Sequence, residues 1–156
     1  WAAPFIMATI NVKNVHRTNV LRGFPYGRDF RYDEMMLTSP GDAGKAAAEA
    51  ITGLLKNPFG AKPPKPGEGP SAEERENGYY DLVFRGEYPD GRALNYGVKG
   101  RYDPGYGSTS RMLGETGMAL LACEAEGGIG THGSFLGEAL VERLRAHAAI
   151  AFAPED

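Results

Sequence analysis

The sequence holds a single cysteine, so no intramolecular disulfide can form, and Cys123 sits among Leu120, Leu121 and Ala122, where a buried and unreactive thiol is expected. That composition suits a reducing compartment and makes a cytoplasmic location the expectation. No apolar run approaches the roughly 18 residues of a membrane-spanning helix. The first residues lack the basic region and apolar stretch of a signal peptide. Positive charge is not in excess: 17 Lys and Arg stand against 20 Asp and Glu, for a net charge of −3, and no block of like charge occurs. A nucleic-acid partner is therefore not expected. The histidines, His16, His132 and His147, share no i, i+3 or i+4 spacing with one another, with Cys123 or with a suitable carboxylate, so no metal site is expected. No arrangement of Ser, His and Asp or of Cys and His supports nucleophilic hydrolysis, and no internal repeat is visible.

What is present, 42% hydrophobic and 24% charged residues over 156 positions, suits one globular domain with a buried core. The chain opens in the apolar stretch Trp1-Ala-Ala-Pro-Phe-Ile-Met7 without an initiator methionine, which raises the expectation of an N-terminal truncation. Val12, Val15 and Asn19 approximate helical spacing over residues 11–21, until Gly23 and Pro25 stop it. Residues 28–38 read as an aromatic-rich strand through Phe30, Tyr32 and Met36. Ser39-Pro40 offers a capping hydroxyl and a first-turn proline to an Ala- and Leu-rich helix over 45–55, ended by Asn57-Pro58. Residues 60–71 carry four prolines and three glycines, which forbid a regular element.

Residues 79–88 and 92–100 flank Pro89-Asp90-Gly91 and read as a hairpin whose second arm alternates Leu94, Tyr96 and Val98 with Asn95, Gly97 and Lys99. Asp103-Pro104 caps a following helix with an apolar stripe through Met112, Thr116, Ala119 and Cys123. Thr131 caps a last helix with Phe135, Leu136, Leu140 and Leu144 on one face, and Ile150-Ala-Phe152 reads as a short terminal strand or tail. The sum is an α+β fold, with a small, largely antiparallel or mixed sheet covered by helices, in a single domain over 1–156.

Several segments could carry chemistry. Gly128-Ile-Gly130-Thr-His-Gly133 fits the spacing of a dinucleotide fingerprint but follows a helical pattern instead of a strand, so a helix-to-helix turn is the plainer reading. His16-Arg17-Thr18 offers a cation and a hydroxyl beside the amides Asn11 and Asn14, or simply an exposed polar helix face. Asp33 and Glu34, as neighbours on a strand, would point to opposite faces and read as solvated charges. Lys62-Pro-Pro-Lys-Pro66 has a spacing that could dock in an aromatic groove as polyproline II. Lys99-Gly-Arg-Tyr-Asp-Pro-Gly-Tyr-Gly-Ser-Thr109 brings a cation, phenols, hydroxyls and unpaired N–H groups to a strand-to-helix junction, a plausible ligand shelf whose plainer reading is a well-capped turn.

Taken together, Pro4-Phe-Ile-Met-Ala-Thr-Ile-Asn11, Val15-His-Arg-Thr-Asn19, Tyr26-Gly-Arg-Asp-Phe-Arg-Tyr32, Lys65-Pro-Gly-Glu-Gly-Pro-Ser71, Asp103-Pro-Gly-Tyr106 with Thr109, Met112-Leu-Gly-Glu115 and Gly127-Gly128 with Thr131 resemble the saccharopine dehydrogenase-like oxidoreductases, including those described as trans-acting enoyl reductases. The resemblance covers nearly the whole chain, in the family's order. It implies the C-terminal portion of a two-domain enzyme whose missing N-terminal half is a Rossmann domain binding NAD or NADP, with none bound by this portion itself. This part would then shape the substrate side of the cleft for a small-molecule substrate and contribute to a homodimer contact. The reaction implied is reduction of a C=C or C=N bond, with acyl or lipid substrates among the candidates.

Arg17, Lys99, Asp103, Tyr106 and Thr109 carry over as matching positions on the substrate side, without an assigned catalytic step. Where the family tends to have Arg-Arg-Ser this chain has His16-Arg17-Thr18, and where it tends to have Thr-Pro-Ala it has Thr131-His132-Gly133. Chemistry suggests that Lys99 and Arg17 hold a carbonyl or carboxylate and that Tyr106 donates a proton. The rival expectations are a stand-alone, non-catalytic ligand-binding or dimerisation module and a peptide-binding scaffold acting through the proline loop.

Overall fold

The structure is a computed structural model that describes residues 1–55, 65–124 and 126–155. Its contacts divide the chain into two units, Trp1–Glu68 and Gly69–Asp156.

In the first unit the spacing of Val12, Val15 and Asn19 becomes α1 (Ala8–Leu21), while β1 (Ala2–Pro4) pairs antiparallel with β2 (Met35–Leu37) and α2 (Gly41–Leu54) packs on β1. Its core is small, with Ala3, Ala48 and Asn19 buried. The strand expected over 28–38 survives only at Met35–Leu37. Upstream of it, the ring of Phe30 packs edge-on to His16 of α1 and against Tyr26, so these aromatics find their partners in a helix and a loop instead of a strand ladder. The cap of α2 also differs: Pro40 is itself the N-cap, and no side-chain hydroxyl caps the helix. The expected helix stop at Asn57-Pro58 and the first three residues of the proline motif, Lys62, Pro63 and Pro64, lie outside the described residues.

In the second unit, a helix that the proline-rich reading passed over, α3 (Ala72–Asn77), starts on a reciprocal cap. The Glu74 N–H donates to Ser71 Oγ at 3.2 Å, and the Ser71 N–H donates to Glu74 Oε2 at 2.7 Å. The signature Ser71-Ala-Glu-Glu74 was readable in the sequence. The hairpin forms as expected, with β3 (Tyr79–Glu87) and β4 (Ala93–Arg101) in register from Tyr79↔Arg101 to Glu87↔Ala93. Following α4 (Gly107–Leu121), α5 (His132–Phe135) and α6 (Gly137–His147), the chain closes with β5 (Ile150–Glu155), giving an antiparallel sheet of order β3-β4-β5.

Thr131 caps α5 as expected, in a box with Ser134, but the single helix foreseen there breaks at Gly137, whose φ is 51°. The last strand is longer than the apolar triplet suggested. It includes Pro154 opposite Tyr96, and an edge strand tolerates proline because nothing outside it needs the missing N–H.

The architecture is α+β with antiparallel sheets. On the second sheet Tyr80, Leu82, Phe84, Tyr96, Val98, Ile150 and Phe152 share one face, since directly opposed residues point the same way. Helix α6 packs on β5 and α4 packs on α6, burying Ile150, Ala148 and Ala119.

Candidate functional site

The junction from β4 to α4 gathers three of the five candidate residues. Asp103 accepts backbone hydrogen bonds from Gly105 at 2.9 Å, Tyr106 at 2.9 Å and Gly107 at 2.6 Å, which satisfies the unpaired N–H groups ahead of the helix. These bonds, that from Gly107 foremost, hold its carboxyl below the usual aspartate range. Thr109 Oγ1 donates to the Pro104 carbonyl at 2.6 Å. Both side chains are thus committed to building the turn. Tyr106 is the N-cap residue of α4, and its side chain is exposed.

Beneath the turn, a Cβ at Gly100 would collide with the ring of Tyr80. The missing side chain lets that ring cross β4, and its hydroxyl shares a hydrogen bond of 2.9 Å with Ser108 Oγ, which is fully buried. Arg111 stacks 3.6 Å above the centre of the Tyr102 ring and donates to the Gly107 carbonyl at 2.7 Å.

Lys99 lies on β4 opposite Asp81. Its Nζ is 3.1 Å from Asp81 Oδ2 and 3.0 Å from Glu155 Oε1, and these bonds, Glu155 first, raise its pKa above the usual lysine value. Gly97 makes room for the second bond, because a Cβ there would stand 2.5 Å from Glu155 Oε1. The charge of Lys99 is compensated from both neighbouring strands. Together with Tyr79, Tyr80, Arg101 and Arg145 it lines an open depression of about 510 Å3, of which Asp103, Tyr106 and Thr109 are not part.

Arg17 lies in the other unit, exposed on α1. The neighbouring residues form a cluster that sequence reasoning missed. Glu34 accepts from Asn11 Nδ2 at 2.9 Å and from the Tyr32 hydroxyl at 2.8 Å. Burial first, then the hydrogen bond and charge of Glu34, push the Tyr32 phenol well above its ordinary pKa, so it stays protonated. Glu34 is therefore not a simple solvated charge. Asn19 donates to the Gly27 carbonyl at 2.8 Å and accepts from the Tyr26 N–H at 3.0 Å, which ties the 23–27 turn to α1. The available signal was a pair of amides, Asn11 and Asn19, about two turns apart on one helix.

Among the described residues no group of three His, Cys, Asp or Glu could hold a metal ion. The described residues also do not fit a nicotinamide nucleotide: every strand pair among them is antiparallel, and Gly128 to Gly133 runs from α4 into α5 instead of from a strand. No helix among the described residues is long and apolar enough to cross a membrane.

No family model matches the chain, and no solved structure matches it. Curated proteins do. A Mycobacterium tuberculosis protein provisionally named a trans-acting enoyl reductase is 36% identical over 94% of this chain and 39% of its own length. The trans-acting enoyl reductase of Mycobacterium ulcerans is 30% identical over 92% of this chain and 39% of its own length, and a Mycobacterium bovis protein of the same name matches at the same identity and coverage. The α+β chain is thus a relative of an oxidoreductase-named group. In particular, it is homologous to a segment of the trans-acting enoyl reductases, spanning 39% of the length of those it matches.

Proposed function

We propose that this chain is the substrate-side segment of an enoyl reductase of the saccharopine dehydrogenase-like type, acting on a C=C bond of a small acyl or lipid substrate. What carries the reading is the match of nearly the whole chain to proteins named trans-acting enoyl reductases, of which it covers 39%. A nicotinamide nucleotide, NAD or NADP, belongs on a Rossmann domain elsewhere in the longer protein, in a cytoplasmic setting. Within the second unit Asp103 and Thr109 shape the turn that presents the Tyr106 phenol as a proton donor and Lys99 holds a carbonyl or carboxylate, while Arg17 offers a separate cation in the first unit. The same domain supplies a homodimer contact.

Calorimetry with NADH and NADPH tests the division of labour: binding only by a version extended upstream to include a nucleotide domain supports it, and clear binding by this chain overturns it. In the extended protein Lys99→Ala should lower kcat/KM by about tenfold, and unchanged kinetics removes Lys99 from the site.

A second reading, a non-catalytic ligand-binding or dimerisation module, is favoured by one observation: the polar atoms of Asp103, Thr109 and Lys99 are all engaged within the fold. An in-frame dinucleotide fingerprint encoded upstream supports the first reading, and a stop codon followed by a start near Trp1 supports the second.

A further inference from the structure

The two edges of the three-stranded sheet are built differently. The outer edge of β5 carries Pro154, which cannot donate to a further strand. The outer edge of β3 has nine residues, Tyr79–Glu87, with no proline and no lysine, and every one from Asp81 to Glu87 is exposed. β3 thus lacks the proline and lysine that often protect an edge strand from pairing, and its charges, Asp81, Arg85 and Glu87, are of both signs.

The orientation of that edge follows from the hairpin. The Tyr88 N–H donates to the Arg92 carbonyl at 2.9 Å, so on β3 the even-numbered residues exchange hydrogen bonds with β4. The odd-numbered ones, among them Asp81, Val83 and Arg85, direct their N–H and C=O groups outward.

We propose that β3 pairs antiparallel with β3 of a second copy of this chain, about a two-fold axis at Val83, joining two sheets into one of six strands. In that register Asp81 stands opposite Arg85 of the partner subunit, and Arg85 opposite Asp81 of the partner subunit, as hydrogen-bonded pairs. Leu82 stands opposite Phe84 of the partner subunit in the closer, non-hydrogen-bonded position, extending the apolar face across the axis. Tyr80 stands opposite Gly86 of the partner subunit, its own ring remaining over Gly100 of β4.

The alternatives are poorer. Centring the axis at Phe84 sets Asp81 against Glu87, and centring it at Leu82 leaves Asp81 against Val83 and removes both charge pairs. Only the Val83 register also uses the full strand. In the single chain Arg85 is bonded to Glu87 at 2.8 Å and Asp81 to Lys99 at 3.1 Å, surface contacts whose groups remain largely exposed and open to exchange. The self-complementary charge pattern selects a second copy over an unrelated strand.

This inference rests on the dimer contact proposed above and gives it a surface, but it needs nothing of the reductase chemistry; a chain that dimerises through β3 and supports no reduction fails the one reading and not the other. Sedimentation equilibrium on the whole chain should show a dimer. Arg85→Asp, which opposes two carboxylates twice across the axis, should weaken association at least about tenfold, and the double variant Asp81→Arg with Arg85→Asp should restore it. Circular dichroism checks that each variant folds.

Hydrogen exchange supplies the independent readout: the Asp81, Val83 and Arg85 amides should be protected in the dimer and lose protection on dilution. A monomer at every concentration, an Arg85→Asp variant that associates as well as the parent, or a dimer whose outward β3 amides exchange rapidly would each overturn the proposal. A monomer in which those amides are protected would overturn it too, since another segment would then cover the edge.

Discussion

The closed and open ends of the β3-β4-β5 sheet share one alternating pattern and meet opposite fates. At the closed end Ile150 is 4% exposed, Tyr80 reaches buried Ser108, and α6 packs on β5. At the hairpin end Phe84 is 44%, Tyr96 41% and Leu94 64% exposed on the same face. Strand residues of equal hydrophobicity are held or left in water by whether a helix arrives over them, and both covering helices arrive at the end where β4 runs into α4 and α6 into β5. Apolar alternation thus encodes a face, while burial is decided by the rest of the chain and its partners.

The largest effect that can break this comparison lies at the closed end. Ile150→Ala removes a buried side chain between α6 and Gly100 of β4 and should cost about 2–5 kcal/mol in denaturant unfolding; a cost comparable to that of an exposed site would show that the closed end carries no more of the stability than the open one.

Asp103 should give an intermediate effect. Its folded pKa is depressed, so its contribution is complete above the unfolded value near 3.8 and is lost as pH falls through the lower folded value. Asp103→Asn should lower the melting temperature at neutral pH by a few degrees and flatten the pH dependence of stability below that point. A variant that keeps the parent's acid profile would assign the dependence to other carboxylates.

The smallest effect belongs to the open end. Leu94→Thr should change the stability of the dilute chain by less than about 0.5 kcal/mol, and a larger loss would sharpen the contrast by showing that something already covers this face.

The candidate site was legible to differing depths. The Asp103-Pro104 start was readable as a cap, and the carboxylate does bind three N–H groups, though the regular helix begins only at Gly107. Local chemistry decides such a turn, which is why it could be read locally. The double bridge of Lys99 was not readable, because it needs Asp81 and Glu155 from the two flanking strands, 18 and 56 positions away in the chain. The Asn11–Glu34–Tyr32 cluster was hidden for the same reason, since Asn11 and Glu34 lie 23 positions apart, and further by reading Glu34 as a solvated strand charge.

By itself the sequence determined the α+β class, the hairpin and its register-setting turn, the caps at Asp103 and Thr131, and the kinship with trans-acting enoyl reductases, because period, turn chemistry and residue identity are properties of neighbouring positions. Tertiary structure alone decided that the aromatics of 26–32 stack on one another and on a helix, that Pro154 lies in an edge strand, which cations are compensated, and which end of the apolar face stays open. Those outcomes depend on contacts between residues far apart in the chain, which no local pattern records.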